Sequence, residues 1–148
     1  MNATGSVLVD TNVIVAYFRG EKALAPRFAE AATLYLPWVV LGELHYGAWR
    51  SQRREAQLER IRDFLRTAVL PLPDQGTAEH YGQLKAELAE IGKPIPDNDL
   101  WIAALAREFD LPLATRDGHF TPVPRLKTLV LLCYKMPGLK HLVAAAMS

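Results

Sequence analysis

Four carboxylates are set apart from the other acids of this chain by what surrounds them. Asp10 closes the apolar run Val7-Leu8-Val9, and Asp117 follows Leu113-Ala114-Thr115-Arg116. Glu43 lies among Val39, Val40, Leu41 and Leu44, and Asp99 opens a segment containing Leu100, Ile102, Ala103, Ala104 and Leu105. An apolar neighbourhood is a costly place for a lone charge. Carboxylates gathered together also repel, and crowding raises the pKa of at least one of them. A divalent cation removes that repulsion. Mg²⁺ and Mn²⁺ prefer oxygen ligands, and Mg²⁺ keeps several waters beside one or two carboxylates. Such an ion lowers the pKa of its water and neutralises charge on a phosphate in the transition state. The constellation therefore suits hydrolysis of a phosphodiester.

Each acid also has a purely structural reading. Asp10 and Asp117 could be strand-end turn residues, Asp99 a helix cap, and Glu43 the partner of a core arginine. Four acids meeting at one edge of a sheet argue against holding all four readings at once. Thr11, Asn12 and Thr115 are placed to orient a carboxylate or a water, or else to serve as caps and strand-end hydrogen bonds. Asp97 can cap the helix that follows it, join the acidic group, or do both.

The elements that must position these residues alternate along the chain. Short apolar runs at residues 6–9, 34–36, 69–72, 111–115 and 126–132 read as buried strands. Helical segments are expected at about residues 11–19, 21–32, 37–50, 54–65 and 77–91, and another from Asp97 or Asn98 onward. Gly20 and Gly92 stand where helices should stop, and Pro37 suits a helix start. Strand–helix alternation predicts an α/β fold, a parallel sheet with helices on both faces. In such a sheet ligands bind at the carboxyl ends of the strands. Asp10 and Asp117 fall at strand ends, and helix starts carrying Glu43 and Asp99 face the same edge.

The chain has 148 residues, half of them hydrophobic and 22% charged, enough for one core and ordinary for a folded domain. Its net charge of +1 announces no nucleic-acid partner, so any such partner has to be argued from local charge. Cys133 is the lone cysteine and can form neither an internal disulfide nor a zinc cage by itself. No basic stretch followed by a long apolar run marks a signal peptide, and the apolar runs are too short to cross a bilayer. A reducing, cytoplasmic setting is expected.

The acidic segments carry a family resemblance. Residues 7–13, Val-Leu-Val-Asp-Thr-Asn-Val, resemble the opening signature of PIN-domain nucleases. Residues 37–46, with Glu43 before Leu44, resemble the second acidic motif of that family, and Asn98-Asp99-Leu100-Trp101-Ile102-Ala103-Ala104 the third. Leu-Ala-Thr-Arg-Asp-Gly-His-Phe at residues 113–120 resembles the fourth. In order and spacing these cover most of the chain.

The resemblance implies a three-layer α/β/α sandwich around a central parallel sheet of about five strands. It also implies an endoribonuclease dependent on Mg²⁺ or Mn²⁺, with Asp10, Glu43, Asp99 and Asp117 as metal ligands and catalytic acids. One or two metals would activate a water to attack phosphorus, with no covalent intermediate. The short chain is similar to VapC toxins of bacterial type II toxin–antitoxin pairs. That similarity implies an RNA substrate, a cognate antitoxin protein, a homodimer and no membrane association. Residues 1–132 would form the nuclease domain and 133–148 a C-terminal extension of unassigned role.

Binding RNA needs positive charge near the acids. Arg116, beside Asp117, is the first candidate by position. Arg50, Arg53, Arg54, Lys85, Lys93 and Arg107 are others, and each has an alternative reading as solvated surface. Trp38, Tyr46, Trp49 and Trp101 could stack on bases, but packing in a core or interface is the commoner use of such residues. His45, His80, His119 and His141 show no metal-ligand spacing, and His119 alone lies near a site acid. Two rival functions remain. A phosphatase acting on small phosphomonoesters through an aspartyl nucleophile would want a second Asp two residues after Asp10, where Asn12 stands. A noncatalytic module could use the acidic pocket only for binding. No glycine-rich loop follows the first strand, which disfavours a dinucleotide-binding domain.

Overall fold

A computed structural model describes residues 5–130. Four strands, β1 (Ser6–Val9), β2 (Thr33–Tyr35), β3 (Leu113–Thr115) and β4 (Thr128–Val130), form one sheet in the order β2-β1-β3-β4, all parallel. Six helices surround it: α1 (Thr11–Phe18), α2 (Leu24–Glu30), α3 (Trp38–Arg50), α4 (Arg54–Leu65), α5 (Gln75–Glu90) and α6 (Asp97–Glu108). Leu8, Val9, Leu113 and Ala114 point alternately to opposite faces, and all are buried. Both faces of the sheet are therefore covered, which is the expected α/β/α layering.

The strand order creates the place where a site can form. From β1 the chain moves to β2 on one side, then to β3 and β4 on the other. The crevice at the carboxyl ends of β1 and β3 is thus a topological switch point. The register pairs Leu8 with Leu113 and Val9 with Ala114. Asp10 and Thr115, the next residues along, then face each other, and the Asp10 backbone N–H donates to the Ala114 carbonyl at 2.9 Å.

The helices begin and end for local reasons. Gly20, at φ +80°, accepts the left-handed conformation that stops α1, and Gly92, at φ +67°, does the same after α5. The Asp74 side chain caps α5 by accepting from the Thr77 N–H. On α6 the cap position falls to Pro96, which makes no side-chain bond, and Asp97 is already the first helical residue. The expected capping role of Asp97 or Asn98 is therefore not seen.

Among the described residues the sheet has four strands where about five were expected. The missing one is the run at residues 69–72. Val69 makes a single parallel bridge to Tyr35, receiving the Leu36 N–H and donating to the Leu34 carbonyl. Pro71 and Pro73 follow and have no N–H to continue a ladder. The fifth predicted strand survives as Thr128–Val130. Its expected end at Leu131 and Leu132, and the extension at residues 133–148, lie outside the described residues.

Leu8 sits at the centre of the sheet, fully buried and flanked by β2 and β3. Leu8→Ala is expected to lower the unfolding free energy by about 2–5 kcal/mol, read from urea denaturation. A loss below about 0.5 kcal/mol, ordinary for a surface site, would contradict this placement.

Candidate active site

The switch-point crevice gathers all four acids singled out above. Asp10 is only 5% exposed. One of its carboxylate oxygens accepts from the Thr11 N–H at 2.8 Å, capping α1, and the other accepts from the Thr115 hydroxyl at 2.7 Å. Burial pushes its carboxyl above the ordinary 3.8. The Thr115 and Thr11 bonds oppose that push, and the charges of Asp99 and Glu43 add to it. Asp10 does act as a helix cap, but it is a cap buried beside other acids.

Thr115 links two of the acids. Its oxygen also accepts the Asp117 N–H at 3.0 Å, so one hydroxyl fixes both strand ends. Asp117 is half-buried, and its side chain accepts from the His119 N–H at 2.9 Å, starting the short 3-10 turn Gly118–Phe120. Asp99 arrives from the first turn of α6. Burial raises its carboxyl too. A bond from His119 opposes this, and the charges of Asp117 and Glu43 reinforce it.

Glu43 reaches the crevice from α3. Its oxygens accept from the Thr11 hydroxyl and from the Asn98 amide, the latter at 3.0 Å. It is half-buried and turned toward the cavity, so its apolar sequence neighbours overstate how dry it is. No arginine ion-pairs with it among the described residues, which removes its structural reading as the partner of a core arginine.

The supporting residues divide. Thr115 orients Asp10 as expected. Asn12 accepts from the Arg116 backbone N–H at 3.2 Å, so it fastens the segment after β3 instead of a carboxylate. Arg116 lines the cavity, but its guanidinium pairs with Glu21. Asp97 stands at the rim, where its carboxylate accepts from Lys85 at 3.0 Å and from the Tyr81 hydroxyl at 2.9 Å. Lys85 and then Tyr81 hold it below the ordinary carboxyl value.

Sequence reasoning undervalued His119. Its Nδ1 lies 3.0 Å from Asp99 and 3.3 Å from Asp117. Ligand atoms of Asp99, Asp117 and His119 all fall within 4.8 Å of one another. The available signal was its position two residues after Asp117, on a strand-end turn. Asn98 was read only as a helix cap and a neighbour of Asp99, and Arg19 was not weighed as a site residue. Asn98 bonds Glu43, and Arg19 lines the cavity. The aromatic residues also depart from core packing. Trp38, Tyr46 and Trp49 are 42%, 63% and 59% exposed, with Arg50 over Tyr46 and Arg54 over Trp49. Trp101 is half-buried and stacks on Tyr81 at 4.0 Å. Arg107 is nearly buried and paired with Glu87, which removes it from any binding surface.

The cavity holding the four acids measures about 720 Å³. A cleft of about 730 Å³ between α2 and α4 is lined by Phe28, Phe64 and alanines and carries a single acid, Asp63. Of the two, only the first brings several acids together among the described residues. Its donor set is oxygen-rich, and burial disfavours charge on Asp10 and Asp99, which are the conditions that fit a hard divalent cation.

Comparison with known proteins agrees with this geometry. The chain is 33% identical over 124 residues to "Ribonuclease VapC2" of Haemophilus influenzae, covering 82% of this chain and 94% of that one. It is equally similar, with the same coverage, to "tRNA(fMet)-specific endonuclease VapC" of Shigella flexneri. Among solved structures, DNA-bound VapBC from Salmonella typhimurium superposes with a TM-score of 0.77 at 28% identity, covering 84% of this chain and 96% of that one. Residues 7–126 match the PIN domain, a span that begins at β1 and includes all four acids, and the chain therefore belongs to the PIN-domain family.

Proposed function

We propose that this protein is a metal-dependent endoribonuclease, the toxin of a type II toxin–antitoxin pair, with Asp10, Glu43, Asp99 and Asp117 as its catalytic and metal-holding acids. The observation that carries the reading is the convergence of these four acids at the switch point, in a chain similar to ribonucleases along most of its length. The PIN-like domain would occupy residues 1–132. The partners are an RNA substrate and a cognate antitoxin protein, with a homodimer as the working form in the cytoplasm. No helix among the described residues is long and apolar enough to cross a membrane.

Asp10, Glu43, Asp99 and Asp117 would hold Mg²⁺ or Mn²⁺ between them. When bound, such an ion lowers the pKa of a water and neutralises phosphate charge. Thr115 keeps the Asp10 carboxylate in one orientation, and Asn98 and Thr11 do so for Glu43. His119 holds both acids, its ring Nδ1 bonding Asp99 and its backbone N–H donating to Asp117. Water is the nucleophile: its oxygen bonds to phosphorus as one of its O–H bonds breaks, the ester P–O bond breaks, and the departing sugar oxygen takes up one proton, leaving a phosphate monoester and an alcohol. Among the described residues no Ser or Cys lines the cavity, and Asn12 stands where an aspartyl-nucleophile phosphatase would want its second Asp.

The direct test is digestion of a structured RNA pool with Mg²⁺, with Mn²⁺ and with EDTA. Cleavage is expected with metal alone, and Asp10→Asn, Asp99→Asn and Asp117→Asn should each fall to the EDTA level while keeping wild-type circular dichroism. Full activity in Asp99→Asn at saturating metal would overturn the assignment.

Thr115→Val keeps the side-chain volume and removes the hydroxyl that bridges Asp10 and the Asp117 N–H. Its apparent metal affinity, read from the metal dependence of cleavage, is expected to fall about 10–100-fold. An unchanged metal dependence would show that Thr115 supports only the strand pairing.

A carboxyl with a raised folded pKa binds its proton more tightly folded than unfolded, so ion-free stability falls as pH rises above the unfolded value. Asp99 is in this position. Ion-free Asp99→Asn is therefore expected to melt above wild type at pH 7, by about 2–4 °C per kcal/mol relieved. The gap should close as pH falls to the ordinary value of 3.8. Added Mn²⁺ should raise the wild-type midpoint more than that of the variant. A variant that melts below wild type at pH 7 would show that the His119 bond outweighs burial and repulsion.

A further inference from the structure

Several cations that the sequence offered for binding RNA are already engaged. Arg116 pairs with Glu21 and Lys85 with Asp97, while Arg50 and Arg54 lie over the aromatic rings of α3. Arg19 and Arg60 differ. Both are exposed, and neither meets a carboxylate among the described residues. Arg19 lines the acidic cavity and also a second groove of about 240 Å³ between α1, α3 and α4. Val15 and Glu43 are likewise shared by the two, so the groove opens directly off the cavity. Farther along it, Arg60 donates to the Phe18 carbonyl at 2.8 Å. That bond fixes the guanidinium in place and leaves other N–H donors free to bind. Ser51 and Gln57 supply neutral polar groups on the walls, and Glu43, at the cavity end, is the single carboxylate of the groove.

The two features have complementary charge. The cavity concentrates acids, which repel a phosphate chain everywhere except at a bound cation. The groove offers two guanidiniums, each able to hold a phosphate bidentately. We propose that a single RNA strand leaves the acidic cavity through this groove, with Arg19 and Arg60 as positioning residues that hold its phosphates. The inference rests on the RNA-cleaving reading above and extends it by naming the substrate path.

The test uses the full chain, with Arg19→Ala, Arg60→Ala and the conservative Arg19→Lys and Arg60→Lys. Binding of a fluorescent single-stranded RNA is measured by anisotropy in EDTA across a salt series, and cleavage with Mn²⁺ is measured in parallel. Each alanine variant is expected to bind roughly three- to tenfold more weakly at low salt. Each should also lower the slope of log Kd against log salt by about 0.7. KM should rise in step while kcat stays near wild type, and lysine should restore part of the affinity. Wild-type cleavage combined with unchanged binding and slope in both alanine variants would overturn the path and leave the nuclease intact. A fall in kcat and melting temperature at unchanged KM would also overturn it, showing that Arg60 only tethers α1. So would variants that lose affinity for a protein partner and not for RNA. A wild-type chain that binds no RNA would overturn the path and the ribonuclease together.

Discussion

Asp10 is a carboxylate held almost out of water at the end of β1, with the Thr11 N–H on one oxygen and the Thr115 hydroxyl on the other. Burying that charge is costly, and two hydrogen bonds offset only part of the cost. The bond to Thr115 can form only if β1 and β3 are neighbours in the observed register. That adjacency is in turn the switch point of the sheet. The same hydroxyl receives the Asp117 N–H, so the second acid is placed by the first. α6 then brings Asp99 and Asn98 to the crevice, and α3 brings Glu43 onto Asn98. Like charge is thereby concentrated where the fold can least solvate it. In the proposed reading, that unfavourable arrangement is what makes the site receptive to a divalent cation.

Much of this was legible in the sequence because it depends on local pattern. A strand buried on both faces must be continuously apolar, so an acid ending such a run, as at Asp10, stands out. The helices were legible from their periodicity, and their ends from Gly20 and Gly92. What was not legible depends on contacts far apart in the chain. Arg116 looked available from its position beside Asp117, yet Glu21, 95 residues away, holds it. Asp97 could not be sorted between capping and the acidic group, because nothing local shows that Lys85 and Tyr81 from α5 meet it. His119 lacked any ligand spacing in sequence, since its partner Asp99 lies on another element. The run at residues 69–72 misled in the opposite way. Its hydrophobicity matched a strand, but Pro71 and Pro73 limit it to one bridge at the edge of β2.

The distribution of charge explains how a chain of net charge +1 could still handle a polyanion. Positive and negative groups are segregated by a few side chains instead of by whole faces. Asp10, Glu43, Asp99 and Asp117 share the cavity, Lys85 and Arg116 are neutralised at its edge, and Arg19 marks the passage to the adjoining groove. Membership of the PIN-domain family fits this scheme, because the matched span contains both the acids and the elements that aim them. The exposed Tyr46 and Trp49, each beneath an arginine, lie on the helix that supplies Glu43, so any partner covering them would touch the element that sets one wall of the site.

If the four acids converge to hold a divalent cation, that ion should be found among them. Anomalous diffraction from crystals of the full chain soaked in Mn²⁺ would locate it. A manganese peak is expected inside the crevice, among the oxygens of Asp10, Glu43, Asp99 and Asp117, and is lost in crystals of Asp99→Asn. An acidic crevice that stays free of manganese at saturating concentration would contradict this reading.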